Sequence, residues 1–311
     1  MLNTHTTVIG RADPIHVKRI KPCRLIYLLV LVLMLEACST RALILQGVAS
    51  ELASQGNTPE DDLVLAREAS AFYLKLSESV LRETPDNINL ATAVASGFTQ
   101  YAYAYVQADA DRLDAKDAAA AHRLRQRAAR LYHRAQRHAL GALEAQTPGF
   151  TKALASDSPA DWPNLRVNQI GLAYWGAASW GAWIAMSKDK PDIVADLPLA
   201  MRLAKLAWIS TPEHGDGSLA SLMGTFEASR PGGSKAHASL YFDQAIAHSG
   251  GKNAGVFVAK AEAIALPAGD KPAFETLLKR ALVASELQPN LSNMVMRERA
   301  MWLLETVDDL F

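Results

Sequence analysis

Tyr241-Phe242-Asp243-Gln244-Ala245-Ile246-Ala247-His248-Ser249 runs into Gly250-Gly251, and Phe274-Glu275-Thr276-Leu277 runs through Ala281-Leu282 to Gln288 and then Pro289. The layout is shared: an aromatic opening, a small-plus-aliphatic step (Ala245-Ile246, Ala281-Leu282), then a stop. Gly or Pro after such a segment ends a helix. The same layout precedes three earlier stops. Ala71-Phe72-Tyr73 leads to Thr84 before Pro85, Ala129-Arg130-Leu131-Tyr132 to Gln146 before Pro148, and Ala200-Met201 to Thr211 before Pro212. Alanine forms roughly a fifth of the chain after Cys38 and β-branched runs are scarce, which favours helix over strand. The predicted class is all-α, an array of helical hairpins.

The period is about 38–39 residues for the last two units and about 63–64 for the earlier ones. The closing pattern is that of a tetratricopeptide (TPR) unit, lengthened from the usual period of about 34 residues. Units of this kind bury their apolar faces only against their neighbours. A single TPR-like α-α superhelix of about ten to twelve helices is therefore expected over residues 59–311. Asn87 and Asn290, each two residues after a proline or directly following one, are expected to cap the helices they precede.

The N-terminus reads as an address. Lys18, Arg19, Lys21 and Arg24 precede an apolar run from Leu25 to Leu35, which at eleven residues is too short to span a bilayer. Leu35-Glu36-Ala37-Cys38-Ser39 follows and looks like a bacterial lipobox, with Glu36 standing where a small residue is usual. The expected division is a cleaved lipoprotein signal over 1–37, a lipidated Cys38 with a tether or first helix over 38–58, and the helical domain over 59–311. Cys23 leaves with the signal, so no disulfide forms within one mature chain. The body is expected to face the periplasm, held to a membrane by its lipid alone, and Ser39 is compatible with the outer membrane.

Charge narrows the function classes. The chain carries 32 basic and 32 acidic residues, and the part after Ala37 has 27 against 30, a formal −3. A nucleic-acid binder would be basic, so that class is set aside. Basic residues nevertheless concentrate on one helix: Arg123, Arg127, Arg130, Arg134 and Arg137 recur at alternating steps of four and three and share a face. Two readings stay open. The face is solvated and answers Asp109, Asp111 and Asp114, or it docks an acidic partner or anionic lipid headgroups, with Arg123, Arg127, Arg130 and Arg134 as contacts.

Val167 to Ser187 holds no charge, but its Gly171, Gly176, Gly181 and alanines lack the dense Leu/Ile/Val of a spanning helix. A buried central helix is expected. Its block Tyr174-Trp175-Gly176-Ala177-Ala178-Ser179-Trp180-Gly181-Ala182-Trp183 sets large rings beside small residues, which makes concave apolar surface or ordinary core. Tyr174, Trp175, Trp180 and Trp183 are the candidate apolar contacts for a ligand, with His214, Glu227 and Arg230 as polar fixings. The histidines form no metal-binding pair, and no nucleophile elbow, phosphate loop or dinucleotide fingerprint occurs. Neither metal nor cofactor is expected, nor is catalysis. An envelope-polymer hydrolase using Asp216 with Glu227 or Glu262 is the enzymatic alternative.

Several blocks together resemble one family. The aromatic block at 174–183 with Lys188-Asp189 and Ala195-Asp196-Leu197-Pro198 is similar to the T component of TRAP transporters (the TatT family). So are Gly217 to Gly233, Val258-Ala259-Lys260-Ala261-Glu262 with Ala268-Gly269-Asp270, and Arg299-Ala300-Met301-Trp302-Leu303-Leu304 to Phe311. The resemblance implies a helical, cryptic TPR lipoprotein that forms a homotrimer. It further implies association with the periplasmic substrate-binding P component of a tripartite ATP-independent transporter, and a cleft or pore for a hydrophobic small molecule. The alternative is a TPR-type scaffold lipoprotein for outer-membrane protein assembly.

Overall fold

Side-chain caps set where the helices begin. In the computed structural model, which describes residues 46–53 and 62–311, Asp62 Oδ1 accepts from the N–H groups of Val64 and Leu65 at the head of α1 (Leu63–Glu83). Asn87 does the same through Leu90 for α2 (Ile88–Tyr101), as its place after Pro85 predicted. A π turn (Ala102–Gln107) carries α2 into the short α3 (Ala108–Leu113). Asp117 caps α4 (Ala118–Gln146), whose end is followed by the short α5 (Phe150–Leu154). The leader, Cys38 and the residues after it up to 45 lie outside the described residues, as do 54–61.

The remaining helices are α6 (Ile170–Ala185), the single turn α7 (Pro191–Val194), α8 (Leu197–Ser210), α9 (Ser218–Ser229) and α10 (Lys235–His248). Then come α11 (Ala254–Lys260), a second π turn (Ala261–Ala265), α12 (Lys271–Leu287), α13 (Leu291–Glu305) and the terminal turn α14 (Val307–Leu310). Asn290 caps α13 through the Asn293 N–H, again as predicted. Each of the five stops read from sequence ends a helix: α1, α4, α8, α10 and α12. No strand occurs among the described residues. The fold is all-α, with ten principal helices among the described residues, the shortest being the seven-residue α11.

Packing sorts these helices into two layers. Consecutive long helices pair, and α2, α6, α9, α11 and α13 also touch in that order or nearly so, forming an inner layer; α1, α4, α8, α10 and α12 lie outside. Small residues allow the close approaches. A Cβ on Gly176 would sit 3.1 Å from Ala139 of α4 and 3.2 Å from Leu203 of α8, and one on Gly181 would sit 2.7 Å from the Phe226 ring of α9. The charge-free stretch is thus a buried central helix, as expected. Among the described residues no helix is long and apolar enough to cross a membrane. On α4, Ala128, Ala135 and Ala139 are buried and Leu124 and Leu131 partly so, which places the arginines on the outward side.

One buried carboxylate ties α1 to α4. Glu78, its side chain 5% exposed, accepts from Lys75 Nζ at 2.6 Å and from Arg134 Nε at 2.6 Å and Nη2, and lies 2.9 Å from His138 Nε2. Burial alone would raise its pKa, but the hydrogen bonds from Arg134, Lys75 and His138 outweigh it and hold the group down to about 2. A carboxylate depressed in the folded state contributes fully above its unfolded value and loses that contribution as pH falls toward 2. Glu78→Gln should therefore cost about 2 kcal/mol near neutral pH. The difference between variant and parent should shrink between about pH 4.5 and 2 in urea titrations followed by circular dichroism.

Candidate functional site

The inner face of α6 is defined by what flanks it. Gly176 meets the outer helices α4 and α8, Gly171 meets Thr92 of α2, and Gly181 meets Phe226 of α9. The face between the last two carries, by helical spacing, Tyr174, Trp175 and Ala178, all partly exposed, while Ala182 packs on the cluster of Ala102, Val106, Ala128 and Tyr132. The Tyr174 ring stands edge-on to Trp175 at 4.8 Å and to His214 at 5.6 Å. Burial pushes the Tyr174 hydroxyl up to about 12, against an opposing hydrogen bond with Ser218. Burial also lowers the His214 pKa, outweighing nearby Glu213, which favours the neutral ring.

Other candidates lie elsewhere. Trp180 is only 4% exposed and belongs to the main core, where its Nε1 has no hydrogen-bond partner. Trp183 points toward the outer layer and stacks on His133 of α4, the ring centroids 3.9 Å apart. Glu227 and Arg230 sit at the far end of α9 from His214, about one helix length of 18 Å away. There Glu227 accepts from Arg230 Nε at 2.7 Å and Nη2 at 2.8 Å and from the Ser234 N–H at 2.8 Å, bracing the α9–α10 turn. A Cβ on Gly233 would lie 1.9 Å from the Glu227 carbonyl oxygen, so that turn admits only glycine. Of the seven, Tyr174, Trp175 and His214 form one cluster, and Glu227 and Arg230 form a separate pair.

The acidic neighbours suggested for the arginine face are answered by other cations. Asp109 pairs with Arg67 at 2.6 Å, Asp114 with Arg125 at 2.8 Å, and Asp111 with Arg299 at 2.8 Å and Arg125 at 3.7 Å. Arg134 is held by Glu78. Arg123, Arg127, Arg130 and Arg137 are exposed and have no ion-pair partner among the described residues. The carboxylates considered for hydrolysis are also apart: Asp216 lies in an exposed turn before α9, and Glu262 pairs with Arg299 at 2.7 Å. No group of three or more His, Cys, Asp or Glu side chains is placed to hold a metal ion among the described residues.

A second locus was invisible in the sequence. The last long helix folds back onto the first ones, making a seam between α13 and the α1–α3 segment. Arg299 donates to Asp111 and to Glu262 at once and lies over Trp302, 4.6 Å from its centroid. Tyr103 Oη reaches Met296 Sδ at 4.0 Å, and Tyr132 Oη donates to Gln107 at 2.7 Å. Burial pulls the Arg299 pKa down, but Glu262, Tyr103 and Asp111 hold it above its ordinary value; burial and Glu262 raise that of Tyr103. Both π turns border this network, supplying Tyr103 and Glu262. Such turns place side chains off the regular helical phase and occur often at functional sites. A cleft of about 190 Å³ opens beside it, lined in part by Leu63, Arg67, Tyr105, Arg112 and Trp302.

The model of the TRAP transporter T-component family matches residues 59–311, and the chain belongs to that family. It is thus a component associated with a TRAP transporter. An uncharacterized protein of Treponema pallidum (strain Nichols) is 28% identical over 268 aligned residues, 82% of each chain.

Proposed function

We propose that this chain is a lipid-anchored, periplasm-facing adaptor of a tripartite ATP-independent periplasmic transporter. Cys38 would tether it, with the outer membrane as the favoured site, and the body would engage the substrate-binding P component as a homotrimer. The observation that carries the ligand-binding half of this reading is the inner face of α6. There Tyr174, Trp175 and His214 meet beside small residues, each ring partly exposed. Large partly exposed rings flanked by Ala and Gly suit a hydrophobic molecule with one polar end, His214 supplying the polar contact. Three tethered copies would raise the local concentration of a partner. The family supports the transporter association, and the Lys18-to-Cys38 leader supports the tether.

Native mass spectrometry of the body together with the purified P component tests both halves. Expected are a three-copy assembly, P component bound to it, and a retained apolar molecule. Trp175→Ala should weaken retention about tenfold, roughly the worth of one ring contact, while leaving the assembly intact. An empty monomer indifferent to the P component would overturn the reading.

A further inference from the structure

α1 and α4 are neighbours in the outer layer and run parallel: Arg67 near the start of α1 meets Asp109 just ahead of α4, and Glu78 eleven residues on meets Arg134 and His138. Each helix presents an unusual outward stripe. On α1, Leu65, Phe72 and Leu76 recur at helical spacing with Ala69 between them, and Tyr73 stands beside Phe72 with its ring edge-on at 5.7 Å. Phe72 is 66% and Leu65 53% exposed. On α4 Arg123, Arg127, Arg130 and Arg137, without an ion-pair partner among the described residues, form the matching row. Both stripes point away from the buried residues of their own helices. The apolar one extends about 16 Å and the cationic one about 21 Å at a helical rise of 1.5 Å per residue.

We propose that this two-helix face seats the body on an anionic membrane surface. The apolar side chains would enter the acyl boundary, and the guanidinium row would meet lipid phosphates. Three observations favour lipid over a protein partner. Exposed Phe72, Leu65 and Tyr73 stand up as a ridge, which a fluid bilayer accommodates and a rigid partner would have to match with a groove. The row is cationic and uncompensated: the only carboxylate exposed on α1 between Leu65 and Arg82 is Glu68, and Glu78 is buried under Arg134. Finally, Leu63 opens α1 only 25 residues after Cys38, so an anchor there brings α1 to the bilayer before any other long helix. That last support rests on the tether proposed above; the first two do not.

The body from Leu45 onward is a compact unit of its own, so a chain starting at Ser39 tests the face without the lipid. It should sediment with vesicles of phosphatidylcholine and phosphatidylglycerol at low salt, and not with phosphatidylcholine alone. Each arginine of the row changed to alanine should weaken this partitioning about fivefold, and added salt should weaken it further. Phe72→Trp should show emission quenched by brominated lipid. Phe72→Ser with Leu76→Ser should release the body while its circular dichroism melt is kept. Equal binding by the four-alanine variant, or no binding of the parent, overturns the proposal. So does a Phe72→Trp probe that responds to the purified P component or to self-association and not to vesicles. Acyl labelling of Cys38 in the full chain is scored separately, so a failed tether and a failed face are told apart.

Discussion

Replacing Arg299 with alanine should lower the stability of the body by about 3 kcal/mol, because it takes from Asp111 and Glu262 the cation that they share in the seam. Removing one member of a largely buried ionic cluster is far more damaging than never having built it, since desolvated charges remain. The Arg299 side chain is 15% exposed and those of Asp111 and Glu262 are 19% and 30%, which sets the estimate at the low end of the buried range. Urea unfolding should show the midpoint falling. Double replacement by Asp111→Asn and Glu262→Gln in the Arg299→Ala background should recover part of the loss. Lys271, whose partner Asp308 is 89% exposed, is the contrast: Lys271→Ala should leave the midpoint in place. An Arg299→Ala midpoint equal to the parent's would mean that the seam does not hold the array.

Gly217→Ala should be at least as severe, about 4 kcal/mol from strain and overpacking together. Its φ is +84°, a left-handed conformation at the head of α9, and an added Cβ would lie 2.2 Å from the Ala245 carbonyl oxygen of α10. The obstacle is backbone, so no side-chain rotation relieves it. Gly250 offers the control: it also has positive φ, +56°, but a Cβ there meets nothing within 4 Å. Gly250→Ala should therefore show only the conformational part, about 1 kcal/mol. Thermal melts of the two variants separate the contributions, and similar losses would remove the steric argument.

Local patterns announced most of the fold. Pro85, Pro148, Pro212, Gly250 and Pro289 end helices because backbone geometry there is a property of one or two residues. Asn87 and Asn290 cap because the capping bond spans only three positions. The cationic row of α4 was readable for the same reason, since neighbours on a helix face are three or four apart. What Arg134 does was not, because Glu78 lies 56 residues earlier. The seam was hidden more deeply: Asp111 and Arg299 are 188 residues apart, and nothing in the block that Arg299 opens names its partners. The two π turns also escaped, their sequences Ala102–Gln107 and Ala261–Ala265 reading as ordinary helix.

The aromatic block shows where residue type stops being informative. Trp175, Trp180 and Trp183 look equivalent in sequence, yet one is partly exposed against Tyr174, one is core, and one stacks on His133. Helical phase decides among them, and phase has meaning only once the neighbours are known. Glu227 and Arg230, at the end of α9, were expected as polar fixings for a ligand. Their engagement with the Ser234 N–H makes them a brace for a tight turn.

A stacked helical solenoid ordinarily loosens from its tips, since a terminal repeat has one neighbour where an internal repeat has two. The return of α13 onto α1–α3 gives each extremity that missing companion. Fraying then has no place to start: releasing either tip requires breaking contacts with two distant parts of the chain at once. The molecule should behave less like a row of dominoes and more like a buckled strap, melting as one cooperative body.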